Sequence, residues 1–238
     1  MKRIGRLYGV GLGPGDPELV SLKAARILSE VPVIFVPKGG RESRALSIIR
    51  EIVGEGKEVV ELSFPMLEED EGKWEKAANA IWGRLSRGED CAFAVEGDPL
   101  LYSSFVPLLS LFQRRFPQVE IKVIPGISSL NAAAASIPLP LARREERLAI
   151  LPAIYEKDGL KEILEKFDTV AFFKVHRSLK RILNLLERIG FSGSCFLVEE
   201  ATTKKEKVIR DIEEMKKARP GYFSLLLVKK EGRFSTHL

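Results

Sequence analysis

Residues 7–19 read Leu-Tyr-Gly-Val-Gly-Leu-Gly-Pro-Gly-Asp-Pro-Glu-Leu: an apolar run that passes into alternating glycines and then into a helix start. Asp16 stands where it can cap that helix, and Pro17 takes the first helical position, where a missing N–H costs little. Gly9, Gly11, Gly13 and Gly15 let the backbone turn sharply, adopt positive φ and approach a ligand closely. Strand, glycine-rich turn and helix together open an α/β unit. The turn does not match a dinucleotide fingerprint, because the third glycine of G-x-G-x-x-G falls on Pro14 when counted from Gly9, and on Asp16 from Gly11. A carboxylate at the helix start also opposes phosphate, which a helix N-terminus would otherwise attract. The next strand ends in Val36-Pro37-Lys38, without the acidic residue a ribose hydroxyl would want.

Working outward, strand-like and helix-like stretches alternate as far as residue 137. Strands are expected at 6–11, 31–37, 58–62, 91–95 and 119–124, with helices at 17–29, 44–52, 73–87 and 102–112. Such alternation predicts a parallel sheet with helices on its faces. After Ile137-Pro138-Leu139-Pro140 the rhythm changes. Strands at 147–151, 170–174, 195–199 and 222–229 now alternate with helices at 159–165, 178–189 and 211–217. The expectation is two α/β domains, 1–137 with a parallel sheet and 138–238 with a mixed sheet, and a cofactor cleft between them.

The chain's 238 residues are enough to bury a core without disulfides or structural metal. Cys91 and Cys195 sit inside apolar runs and read as small core residues rather than a bridge or a ligand pair. No apolar run is long enough to span a bilayer, and the glycine-rich start does not resemble a secretion signal, so a cytoplasmic protein without a membrane partner is expected. A net charge of +5 admits a polyanionic partner, and equally an ordinary solvated surface. Nucleic acid is disfavoured, since the basic residues are interleaved with acids and no stripe joins aromatic to basic side chains. No metal-ligand cluster, nucleophile elbow or triad appears, and no side chain is assigned as catalytic.

Four segments in order resemble the tetrapyrrole (corrin/porphyrin) methylase family: GVGLGPGDPELVSLKAARIL at 9–28, VEGDPLLYSSF at 95–105, VIPGISSLNAAAA at 123–135, and the pair FFKVHR at 172–177 with VEEATTKKEKV at 198–208. Three further stretches resemble the branch that methylates C(20) of precorrin-2 or of its cobalt-containing counterpart. They are FVPKGGRESRALSI at 35–48, LPLARREERLAILPA at 139–153 and PGYFSLLLVKK at 220–230. Val36-Pro37-Lys38 stands where the uroporphyrinogen branch carries an acidic residue.

The resemblance implies S-adenosylmethionine as cofactor, a tetrapyrrole as substrate and a homodimer. It assigns cofactor contacts to Pro14, Gly97, Asp98, Leu101, Ser128 and Ser129 in the first half, and to Phe173, Ala201 and Thr202 in the second. Phe173 departs from the methionine common at that position. Read without the family, Ser128-Ser129 serve equally as helix caps and Asp98-Pro99 as a turn. The polycarboxylate substrate calls for cations, and Lys38, Arg41 and Arg44 follow the second strand on the side where α/β sheets bind ligands. Arg143 and Arg144 form a second cluster with Arg147, and guanidinium forks suit carboxylates. His176 reads as a structural or rim residue and His237 as part of a frayed tail.

Overall fold

The computed structural model describes residues 3–38, 43–64, 71–152 and 159–230. The chain divides into two compact units, Met1–Ser128 and Ser129–Leu238.

In the first unit five strands, β1 (Leu7–Gly11), β2 (Val33–Pro37), β3 (Glu58–Leu62), β4 (Cys91–Val95) and β5 (Ile121–Ile124), form one sheet in the order β3-β2-β4-β1-β5. Every pairing in it is parallel. Its central strands β2, β4 and β1 are nearly continuous apolar runs because both faces are covered, and alternate side chains point to opposite faces. Tyr8, Val10, Ile34, Val36, Ala92 and Ala94 face α1 (Leu22–Glu30) and α2 (Arg44–Val53). Leu7, Val33, Phe35, Cys91 and Phe93 face α3 (Glu71–Leu85) and α4 (Phe105–Arg115). Phe35, Phe93, Phe105 and Phe112 are fully buried, each worth about 1.5–3 kcal/mol of transfer free energy. Gly9 makes this packing possible, since a Cβ there would collide with the ring of Phe105.

The helix expected over 17–29 is two elements. Asp16 caps only a single 3-10 turn, Pro17–Leu19, by accepting the Glu18 amide at 2.9 Å. Ser21 then caps α1 afresh, accepting the Ala24 amide at 3.2 Å.

The second unit begins with α5 (Ser129–Ser136) and continues through β6 (Leu148–Pro152), α6 (Leu160–Lys166), β7 (Thr169–Phe173), α7 (Leu179–Arg188), β8 (Gly193–Glu199), β9 (Lys207–Ile209), α8 (Ile212–Lys217) and β10 (Ser224–Lys230). Its sheet runs β6-β7-β10-β8-β9, with β6 and β7 parallel and the other pairings antiparallel. The expected mixed sheet is present, with β9 as an additional short edge strand. Helices α6 and α7 bury Leu160, Leu164, Ile182, Leu183 and Leu186 against Val170, Phe172, Leu197, Leu226 and Val228.

Both cysteines are free and buried. Burial pushes the Cys91 thiol up to about 12 and the Cys195 thiol to about 11. Because the thiolate is the reactive form, neither should react with a thiol reagent at pH 8 in the native protein, and both should react on unfolding. A native-state titration showing even one accessible thiol would contradict this packing.

Candidate functional site

The C-terminal ends of β4, β1 and β5 lie side by side, and each runs into a turn carrying one of the sequence motifs. Ligands of open α/β sheets collect along this edge. The Gly97 amide donates to the Gly13 carbonyl at 2.7 Å, and the two residues form a small antiparallel bridge. One strand further, backbone meets backbone directly. A Cβ on Gly11 would sit 2.6 Å from the Cα of Gly126 and 2.7 Å from the Gly97 carbonyl oxygen. A Cβ on Gly126 would press on that same oxygen and lie 2.8 Å from the Gly11 Cα. Gly97 differs: its φ is +70°, and a Cβ there would point into open space. The edge therefore offers bare backbone with open space beside Gly97, which fits a ligand recognised through backbone groups, such as the adenosyl and amino-acid parts of S-adenosylmethionine.

Asp98 follows Gly97. Its Oδ1 accepts the Leu100 amide at 2.8 Å and its Oδ2 accepts the Gly126 amide at 3.1 Å. Pro14 is buried and Leu101 half-buried, while Leu100 and Ile127 are exposed along the same turns. Ser128 is buried and directly precedes α5, whose first residue is Ser129.

In the second unit β10 runs antiparallel between β7 and β8, so its first residue lies between their C-terminal ends. Phe173 pairs with Leu225, Glu199 pairs with Ser224, and the Glu200 amide donates to the Phe223 carbonyl at 2.9 Å. The sheet thus brings Phe173 and the Ala201–Thr202 turn to one end. That turn is held by Glu206, whose Oε2 accepts the Thr202 amide at 2.6 Å and the Ser136 hydroxyl at 2.8 Å. Lys174, Glu200 and Thr202 have φ of 58°, 55° and 66°, and Tyr102 beside the Asp98 turn has 51°. Left-handed backbone at non-glycine residues is costly and concentrates at functional sites. Sequence reasoning missed Glu200 and Lys174, since no local pattern marks a left-handed residue that is not glycine, and Glu206, whose bond to Ser136 joins segments distant in sequence.

The basic residues separate. Lys38 is exposed at the end of β2, and Arg41 lies outside the described residues. The Arg44 guanidinium faces the Glu96 carboxylate at 3.8 Å, both about one-fifth exposed, so Arg44 stands beside the strand end that leads into Gly97. Arg143 and Arg144 are exposed in a turn before β6. Because β6 pairs parallel with β7, that turn adjoins the start of β7, as the Thr169–Arg147 bond of 3.1 Å shows. Phe173 is at the strand's other end, roughly 13 Å away at about 3.3 Å per residue. The structure does not bring Arg143 and Arg144 to the end of the sheet that holds Phe173 and Thr202. Their turn is fixed by Glu146, which accepts the Arg143 amide at 2.9 Å and pairs with Lys229 at 2.8 Å. The Lys229 hydrogen bond holds the Glu146 carboxyl below the usual carboxylate range.

His176 follows β7, its ring 5.5 Å from that of Tyr222. Burial, with help from Arg177, lowers its basicity below that of a free imidazole. His237 lies outside the described residues. Among the described residues no group of His, Cys, Asp and Glu is placed to hold a metal ion, and no helix is long and apolar enough to cross a membrane.

The family model described as tetrapyrrole (corrin/porphyrin) methylases matches residues 6–216. The chain belongs to the tetrapyrrole methylase family. The cobalt-precorrin-2 C(20)-methyltransferase of Salmonella typhimurium is 33% identical to this methylase over 237 residues, covering 97% of this chain and 99% of the relative. The precorrin-2 C(20)-methyltransferase of a Sinorhizobium species is 30% identical, covering 94% and 95%. A solved uroporphyrin-III C-methyltransferase from Thermus thermophilus, complexed with S-adenosylhomocysteine, shares the methylase fold with a TM-score of 0.70 at 23% identity, covering 94% of this chain and 97% of that one.

Proposed function

We propose that this methylase transfers the methyl group of S-adenosylmethionine to C(20) of precorrin-2 or of its cobalt-containing counterpart, a step of cobalamin biosynthesis. The observation that carries this reading is the glycine edge of β4-β1-β5, where three glycine backbones meet, in a chain similar over nearly its whole length to C(20)-methyltransferases.

The cofactor supplies a sulfonium-bound methyl group, and the electron-rich macrocycle is itself the nucleophile. The protein's task is then to hold the two in line at near-attack distance, which alone supplies a large rate advantage. Pro14, Gly97, Asp98, Leu101 and Ser128 form the cofactor-binding edge of the first unit, and Ser129, Phe173, Ala201 and Thr202 supply the second unit's share. Lys38, Arg41 and Arg44 receive carboxylates of the macrocycle. Arg143 and Arg144 have a weaker claim, because their turn adjoins the start of β7 and the proposed cofactor residues adjoin its end. A cytoplasmic homodimer, with no nucleic-acid or membrane partner, completes the reading.

The test is to incubate the protein anaerobically with S-adenosylmethionine carrying a ¹³C methyl group and either form of the macrocycle. A single new methyl resonance at C(20) is the expected product, and the better substrate of the two identifies the metal state. A methyl group on another ring carbon would reassign the protein within the family. No transfer to either macrocycle, with S-adenosylhomocysteine still bound, would point to a ligand-binding role without catalysis.

A further inference from the structure

We infer that Asp98 is a positioning residue: its carboxylate clasps two of the turns that face the cofactor and acts on the cofactor through them, without touching it. The inference rests on the cofactor lying along the glycine edge, and it changes what Asp98 does there.

Both carboxylate oxygens are engaged with backbone. Oδ1 accepts the Leu100 amide within its own turn at 2.8 Å, and Oδ2 reaches across to the Gly126 amide at 3.1 Å. Hydrogen bonds to an ionised acceptor are about twice as strong as neutral ones. The second of them joins segments that are distant in sequence and lie on strands separated by β1. The need for such a clasp follows from the glycines. Gly11, Gly97 and Gly126 approach through bare backbone, so no side chain interlocks to fix their spacing. Glycine also loses more conformational freedom on ordering than any other residue. Gly97 and Tyr102, on either side of the clasp, sit at φ of 70° and 51°, conformations that persist only where the surroundings over-determine them. The Gly97–Gly13 bond fixes the first turn to the second, and Asp98 fixes the second to the third. Together the two links hold all three turns in one arrangement before a ligand arrives.

Asp98→Asn and Asp98→Ala in the full chain test this. Asparagine keeps one acceptor but turns an NH2 group toward the other amide, so it breaks one link, whereas alanine breaks both. In the ligand-free variants the amides of Gly97, Asp98, Leu100 and Leu101 and those of 126–128 should exchange with solvent at least tenfold faster than in the wild type, while those of β4 stay protected. Affinities for S-adenosylhomocysteine and for 5′-methylthioadenosine, which lacks the amino-acid moiety, should weaken by the same factor, roughly tenfold in Asp98→Asn and more in Asp98→Ala. A loss confined to one of the two ligands would mean direct contact with the part that distinguishes them, and would overturn the inference. Unchanged exchange at 126–128 in Asp98→Ala, or at both 100–101 and 126–128 in Asp98→Asn, would overturn it as well. If the wild type bound neither ligand, the cofactor reading would fall and this role with it, while faster exchange at 126–128 would still establish the clasp itself. Should Asp98→Ala fail to fold, Asp98→Asn, which retains one bond, carries every comparison.

Discussion

Gly126→Ala is expected to abolish detectable binding of S-adenosylhomocysteine and to lower the melting temperature by about 6–12 °C. The new Cβ would press on the Gly97 carbonyl oxygen and lie 2.8 Å from the Gly11 Cα, and both obstacles are backbone. Overpacking costs about 1–3 kcal/mol even where side chains can yield. Displacing the turn also strains the Gly126–Asp98 bond, a bond to a charged group worth about 1.5–3 kcal/mol. A combined loss near 3 kcal/mol converts at about 2–4 °C per kcal/mol for a chain of this size. Gly97→Ala separates stability from binding. Its Cβ meets open space, so the stability cost is that of a left-handed alanine, about 1–2 kcal/mol. Binding should still fail, because the methyl group takes up space beside the backbone that is proposed to meet the cofactor. Gly190→Ala is the control: φ is +61°, again with open space around the Cβ, but at the C-terminal end of α7. It should lose similar stability and keep wild-type affinity. Calorimetry and titration on the three variants decide the matter. If Gly97→Ala binds like the wild type, the glycine edge does not face the cofactor.

The contrast among these glycines also shows what a one-dimensional reading can reach. The parallel sheet was legible because strands covered on both faces must be apolar at consecutive positions, and Cys91–Val95 and Val33–Val36 are. The break between Leu19 and Leu22 was not, although its signal is present in two capping residues, Asp16 and Ser21, only five positions apart. Strand β9 escaped notice because three residues, Lys-Val-Ile, are too few to show alternation. The Asp98 turn announced itself as a motif, but which amides its carboxylate would meet depends on β1 lying between β4 and β5, a non-local fact. The same limit applies to the charges. Proximity to Pro138 and Pro140 placed Arg143 and Arg144 near a presumed junction, whereas the parallel pairing of β6 with β7 decides which end of the sheet they occupy.

That sorting of charges leads to the second large effect. Lys38→Ala combined with Arg41→Ala should raise the Michaelis constant for the tetrapyrrole about tenfold and leave the dissociation constant of S-adenosylhomocysteine unchanged. Arg41 lies outside the described residues and enters through its place after the second strand in the sequence and the polycarboxylate substrate that the resemblance implies. Lys38 enters through its exposed place at the end of β2. One exposed ion pair is worth only about 0–1 kcal/mol, but an Arg–carboxylate fork that sheds water on binding is worth about 1.5–3 kcal/mol. Since about 1.4 kcal/mol is a factor of ten, one such fork suffices. Arg44→Ala should behave differently. Its guanidinium faces Glu96, the residue before Gly97, so its removal takes a cation away from a carboxylate beside the turn proposed to hold the cofactor and weakens both ligands. Arg143→Ala with Arg144→Ala should change either constant less than twofold, because their turn adjoins the start of β7 and Phe173 is its last residue. Added salt should weaken wild-type affinity for the macrocycle and flatten the difference from the Lys38/Arg41 variant, since exposed charges are screened over about 8 Å at physiological ionic strength. Steady-state kinetics at two salt concentrations, with calorimetric titration of S-adenosylhomocysteine, separates the three variants. A tenfold effect from the Arg143/Arg144 pair, with none from Lys38 and Arg41, would move the macrocycle to the turn before β6 and make Glu146 and Lys229, which fix that turn, the next residues to vary.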